Sequence, residues 1–130
     1  MILDDISLLL SGGGVTATIY KGFLPDTPDS AVALYETPGE VPDQSGTPYD
    51  YLTFQVRCRG NPGDYVSVRV LMDQCYRILH NSVPTDYSSP PAGKYIYCFA
   101  VQSGPTPMGR DANGRPELVW NFKAMRERLG

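Results

Sequence analysis

Residues 51–80 read YLTFQVRCRGNPGDYVSVRVLMDQCYRILH. Two periodicities meet in this stretch. From Tyr51 to Arg59 apolar and polar residues alternate: Leu52, Phe54, Val56 and Cys58 on one side, Thr53, Gln55, Arg57 and Arg59 on the other. That is a strand with one face toward a core and the other toward water or a partner. From Asn61 the spacing changes. Tyr65, Val68, Leu71, Met72, Cys75, Ile78 and Leu79 recur at i, i+3, i+4 intervals, which predicts a helix over residues 61–81. Asn61 is placed to cap it, Pro62 suits its first position and Asp64 follows the cap by three. The opening YVSVRV also alternates and is β-branched, so its first turns read as strand too; the stripe running on to Leu79 decides for helix.

Working outward, Ile2, Leu3, Ile6, Leu9 and Leu10 mark a short amphipathic helix with Asp4 and Asp5 at its positive end, stopped by Ser11-Gly12-Gly13-Gly14. Val15–Phe23 and Ala31–Tyr35 read as strands on either side of a proline turn. Residues 36–51 carry almost nothing to bury and read as one long loop. After the second helix, residues 82–93 read as loop, and Lys94–Gln102 is apolar on both faces, as a central strand is. Residues 103–116 read as a second long loop, turning at Asn113-Gly114. Glu117–Met125 is the last strand, and residues 126–130 a fraying tail. The expectation is one α+β domain over residues 1–130, a mostly antiparallel sheet of four to five strands with two helices packed on one face.

Composition sets the class. The chain has 130 residues, 42% apolar and 19% charged, which suits a globular fold with a core of its own. Twelve prolines and thirteen glycines predict punctuated loops. Residues 1–50 hold eight carboxylates and one base, whereas residues 51–130 hold ten bases and six carboxylates. A subunit presenting unlike faces to unlike neighbours would look so, and so would two solvated surfaces. The net charge of −3 argues against a sequence-independent grip on DNA. Cys58, Cys75 and Cys98 form no C-x-x-C pair and fit free, buried thiols in a reducing cytoplasm. The N-terminus has neither the basic leader of a signal peptide nor the length of a membrane span.

No catalytic constellation emerges. His80 stands alone at a helix end, where a capping role fits, and it lies five residues from Cys75, on another helix face. The glycines at 12–14 leave a helix rather than open one, the reverse of a phosphate loop. Asp26 and Asp29 sit in a proline turn, where aspartate caps its own backbone. No metal or cofactor set is expected. What remains is charge placed for contacts. Glu36, Glu40, Asp43 and Asp50 lie in the first loop, Arg57 and Arg59 on the outer face of a strand, Arg110 and Arg115 in the second loop. They are the candidate interaction residues, the alternative for both loops being tolerated insertion.

Three stretches carry a resemblance: GFLPDTPDSAVALYETPG (22–39), VRCRGNPGDYVSVRVLMDQCYRILH (56–80) and QSGPTPMGRDANGRPELVWNFK (102–123). In this order they resemble the phage minor capsid family that belongs with tail-completion or tail-terminator proteins. The resemblance implies a non-enzymatic virion protein at the head–tail junction, assembled in the bacterial cytoplasm. It implies a self-associated ring, commonly a hexamer, that caps the tail tube and docks it to the head connector, DNA passing through the lumen without specific binding. Competing readings are a connector adaptor or stopper and, from another class, a small cytoplasmic ligand-binding domain or enzyme.

Overall fold

The computed structural model describes residues 2–39, 49–84 and 94–127. The elements run α1 (Ile2–Gly12), β1 (Thr18–Lys21), β2 (Ala31–Thr37), β3 (Tyr49–Arg59), α2 (Tyr65–Leu79), β4 (Lys94–Ala100), β5 (Thr106–Arg110) and β6 (Pro116–Glu127). The strands form one sheet in the order β1-β2-β3-β6-β4, with β5 also on β6. The long β6 pairs with β3 along its whole length on one side. On its other side it takes β5 near its start and β4 toward its end.

The α+β class and the two helices on one face are as expected. The sheet is larger, with six strands, and mixed, because β1 lies parallel to β2. Parallel neighbours need a crossover, and residues 22–30 supply it. β5 was expected as loop. Its sequence, TPMGR, is exposed at every position and carries Pro and Gly, so no alternation betrays it. An edge strand tolerates that proline, and the turn at Asp111–Gly114 folds it onto β6. β4 was expected to be central. Among the described residues it borders β6 alone, apart from an isolated bridge from Ser82 to Cys98. Its double apolar character has another cause: Tyr95 and Cys98 face the core, while Tyr97 is exposed. The strand expected over residues 15–23 shortens to Thr18–Lys21, with Val15 buried as part of the core.

One buried cluster joins the layers: Ile6 and Leu10 of α1, Met72, Cys75 and Leu79 of α2, and alternate residues of the strands, among them Leu34, Phe54, Val56, Leu118 and Phe122. Phe54 and Phe122 are register partners with stacked rings, 5.6 Å between centroids. The helix after β3 starts later than its sequence suggests. Asp64, not Asn61, caps it, accepting from the Ser67 N–H at 3.0 Å, while the Asn61 carbonyl serves a turn before it. Tyr65 therefore sits in the first turn and is exposed rather than part of the buried stripe. Gly60 makes the turn possible: a Cβ there would lie 2.9 Å from Val68 Cβ and 3.0 Å from the Asp64 carbonyl. Gly14, at φ +104°, ends α1 in a conformation that favours glycine.

His80 caps the C-terminus of α2, its N–H donating to the Tyr76 carbonyl. Its Nδ1 accepts the Ala100 N–H at 3.0 Å, and its ring stacks on Tyr76, which stacks on Trp120. The only histidine is thus a tie between helix and sheet. All three cysteines are buried and free.

Candidate assembly surface

Among the described residues, no helix covers the other face of the sheet, and its side chains pair across strands. Thr37, Thr53, Lys123 and Phe99 form one row; Tyr35, Gln55 and Asn121 form the next. Thr37 donates to Thr53 at 2.6 Å, and Gln55 to Asn121 at 3.2 Å. The Lys123 ammonium lies 5.5 Å from the Tyr51 ring centre and 6.0 Å from that of Phe99. Arg57 lies 5.7 Å over Tyr35 and 3.9 Å from Glu117. These residues are half-buried, so the face is ordered by its own neighbours yet still accessible. Tyr, Phe and Arg, all present on this face, are residue types enriched at protein interfaces. The sequence signalled it only through the polar phase of the β3 alternation.

At one end of this face the crossover loop is clamped by two arginines. Arg59 was expected to face out toward a partner. It does lie on the outer side, but the loop covers it and leaves it 3% exposed. Its Nε donates to the Asp29 carbonyl at 2.9 Å, and its Nη2 to those of Pro25 and Pro28 at 2.6 and 2.7 Å. Arg115, expected in a long loop, is 4% exposed. It bonds Asp111 at 2.7 Å, Asp26 at 2.8 Å and Asp29 at 3.2 Å, and also donates to the Asp26 carbonyl. Asp26 and Asp29 thus answer an arginine distant in sequence rather than only their own turn. Asp111 also accepts the Arg115 and Asn113 backbone N–H groups. The Arg115 N–H leads in holding its carboxyl below the ordinary value, against a smaller opposing effect of desolvation.

The other candidate residues are scattered. Glu36 is exposed near the end of β2. Asp50 is half-buried on β3, opposite Arg126. Glu40 and Asp43 lie outside the described residues. Arg110 is exposed on β5 and makes no ion pair among the described residues. It lines a cavity of about 260 Å³ with Gly63, Tyr65, Pro107, Gly109, Pro116 and Glu117, between the start of α2 and the β5–β6 hairpin. Among the described residues, no group of three or more His, Cys, Asp or Glu is placed to hold a metal, and no helix is long and apolar enough to cross a membrane.

The sheet thus has one face on the core and the other lined by half-buried polar and aromatic side chains. The sequence matches the family described as bacteriophage tail terminator protein over residues 8–128. The chain belongs to that family. No curated protein matches it. A solved structure described as the virion of a native gene transfer agent (GTA) particle contains a chain of the same fold. The similarity has a TM-score of 0.70 at 12% identity and covers 96% of this chain and 93% of that one.

Proposed function

We propose that this protein, acting as a single domain and catalysing nothing, is the ring-forming subunit that closes the tail tube and docks it to the head connector. The family match over nearly the whole chain carries the reading. The fold supports it: the accessible sheet face has its cross-strand bonds already made, so binding there orders few further side chains. Contacts with the tail tube protein and the connector or stopper would use Arg57 and the rings beside it, Glu36 and Asp50 at one sheet end, and Arg110 at the other. Arg59 and Arg115 would act indirectly, by fixing the crossover loop. DNA would pass through the lumen without specific contacts, consistent with a net charge of −3. Assembly would take place in the host cytoplasm, and the protein would reside at the head–tail junction.

Purified protein mixed with tail tubes and imaged by negative stain tests this. Rings should appear at one end of each tube, and such tubes should join heads in vitro. Binding to heads but never to tubes would overturn the reading and favour a connector adaptor.

A further inference from the structure

We infer that the thiols of Cys58 and Cys75 and the thioether of Met72 form a binding site for one soft monovalent cation, copper(I) by preference, where α2 packs on β3. The site is independent of the ring and of the outer sheet face.

The alternation of β3 turns Cys58 into the core, between its register partners Val32 and Leu118. Met72 and Cys75 lie three residues apart on the buried stripe of α2, so one helix face brings both sulfurs to the sheet. The Cys58 thiol donates to the Met72 sulfur at 3.9 Å and is in hydrogen-bonding contact with the Cys75 thiol as well. Three sulfurs from two elements thus meet at Cys58. None of the three residues exposes any surface. Cys98 stands apart on β4, with Ser82 as its hydrogen-bond partner.

The donor set chooses the cation. Thiolate and thioether sulfurs are soft, polarisable ligands that favour copper(I), whereas calcium and magnesium take oxygen. A closed zinc site takes four ligands, and three sulfurs fall one short. Three sulfurs sharing one metal at ~2.3 Å each, the length of a metal–thiolate bond, stand ~4 Å apart in a trigonal arrangement. The Cys58–Met72 pair already has that spacing. Binding requires one thiol to release its proton to solvent. The cation and the resulting thiolate then cancel, leaving a neutral complex that an apolar core tolerates. Because all three sulfurs are covered, loading needs α2 to lift locally from the sheet, and it should be slow in the native state.

The test offers copper(I), held by bicinchoninate under anaerobic conditions, to the reduced protein. Loss of the chelator's colour should report one cation taken up per chain, with a rise in Tm of at least ~5 °C. Cys98→Ala should behave like the parent. Met72→Leu keeps the core volume. It should weaken binding by at least ~10-fold, the loss typical even of a residue that only orients a metal ligand. Cys75→Ala should do the same, and Met72→Leu still decides the matter if the alanine variant does not fold. No uptake by the parent, either in the native state or after refolding with copper(I) present, would overturn the site. So would uptake that is unchanged in Met72→Leu, or lost in Cys98→Ala.

Discussion

Replacing Arg59 with methionine tests whether a charged side chain on the outer sheet face belongs to the fold. The long stem of Arg59 is retained by methionine, and the three hydrogen bonds to the carbonyls of Pro25, Pro28 and Asp29 are lost. A hydrogen bond to a charged group contributes roughly 1.5–3 kcal/mol net, and three sharing one guanidinium do not add. The crossover loop is partly exposed, so its carbonyls regain water. The expected loss is about 3 kcal/mol, a large share of the ~5–15 kcal/mol typical of a domain. For a chain of this length that lowers Tm by roughly 10 °C. Urea and thermal denaturation followed by circular dichroism measure it, and limited proteolysis between residues 24 and 30 should accelerate. Arg57→Met is the control. It sits two residues earlier on the same face, its side chain is 30% exposed, and its ion pair with Glu117 is long at 3.9 Å. It should cost no more than ~1 kcal/mol. Equal melting of the two variants would refute the reasoning, because exposure and bonding would then not separate the two arginines.

Arg115→Ser should lower the melting temperature while Arg110→Ser leaves it unchanged, since only Arg115 is tied to Asp26, Asp29 and Asp111; differential scanning calorimetry on both decides it. Tyr95→Phe should destabilise by about 1–3 kcal/mol, read from the urea midpoint, because the Tyr95 hydroxyl donates at 2.7 Å to Asp5, which is 1% exposed. The Asp111 carboxyl, lowered chiefly by the Arg115 N–H, gives stability that is full above the unfolded value near ~4 and is lost as pH falls through the lower folded value. Asp111→Asn should therefore flatten the decline of the urea midpoint between pH 5 and 2; an unchanged slope would sink the assignment. Native thiol titration should be slow at Cys58, Cys75 and Cys98, which are buried. The neighbouring Cys75 thiol and burial push Cys58 well above the ordinary value, and burial pushes Cys98 up to about 12. Rapid labelling of any one in folded protein would contradict that burial.

The layers were legible where a period was strong. The alternation through Leu52, Phe54, Val56 and Cys58 names core residues, and the stripe Val68–Met72–Cys75–Leu79 names the buried face of α2. Two kinds of feature were not legible. One is pairing that leaves no period: β5 borrows its conformation from β6, so TPMGR looks like loop. The other is charge whose partner is remote. Arg115 meets Asp26 across 89 residues of chain, and Arg59 meets Pro25 across 34, so no local rule separates them from Arg110 and Arg57. Polarity marked these arginines for the surface, whereas the crossover loop folds over Arg59 and draws in Arg115. The aromatic half of the open face was hidden for a related reason. Tyr35, Tyr51 and Phe99 come from three strands, and only the register sets them beside Arg57 and Lys123.

The central place of β6 bears on how the chain is made. Every other described strand precedes it, yet β4 and β5 take it as their strand partner and β3 has it along one edge. A ribosome that has synthesised residues up to 115 has produced both helices and five strands with no means of closing the sheet. Until β6 arrives, the nascent chain carries a long unpaired β3 edge, the kind of surface that recruits other chains. Closure of this sheet therefore waits on β6, and its non-local pairings favour slow folding. A message truncated before residue 116 would yield an aggregation-prone fragment rather than a smaller working subunit.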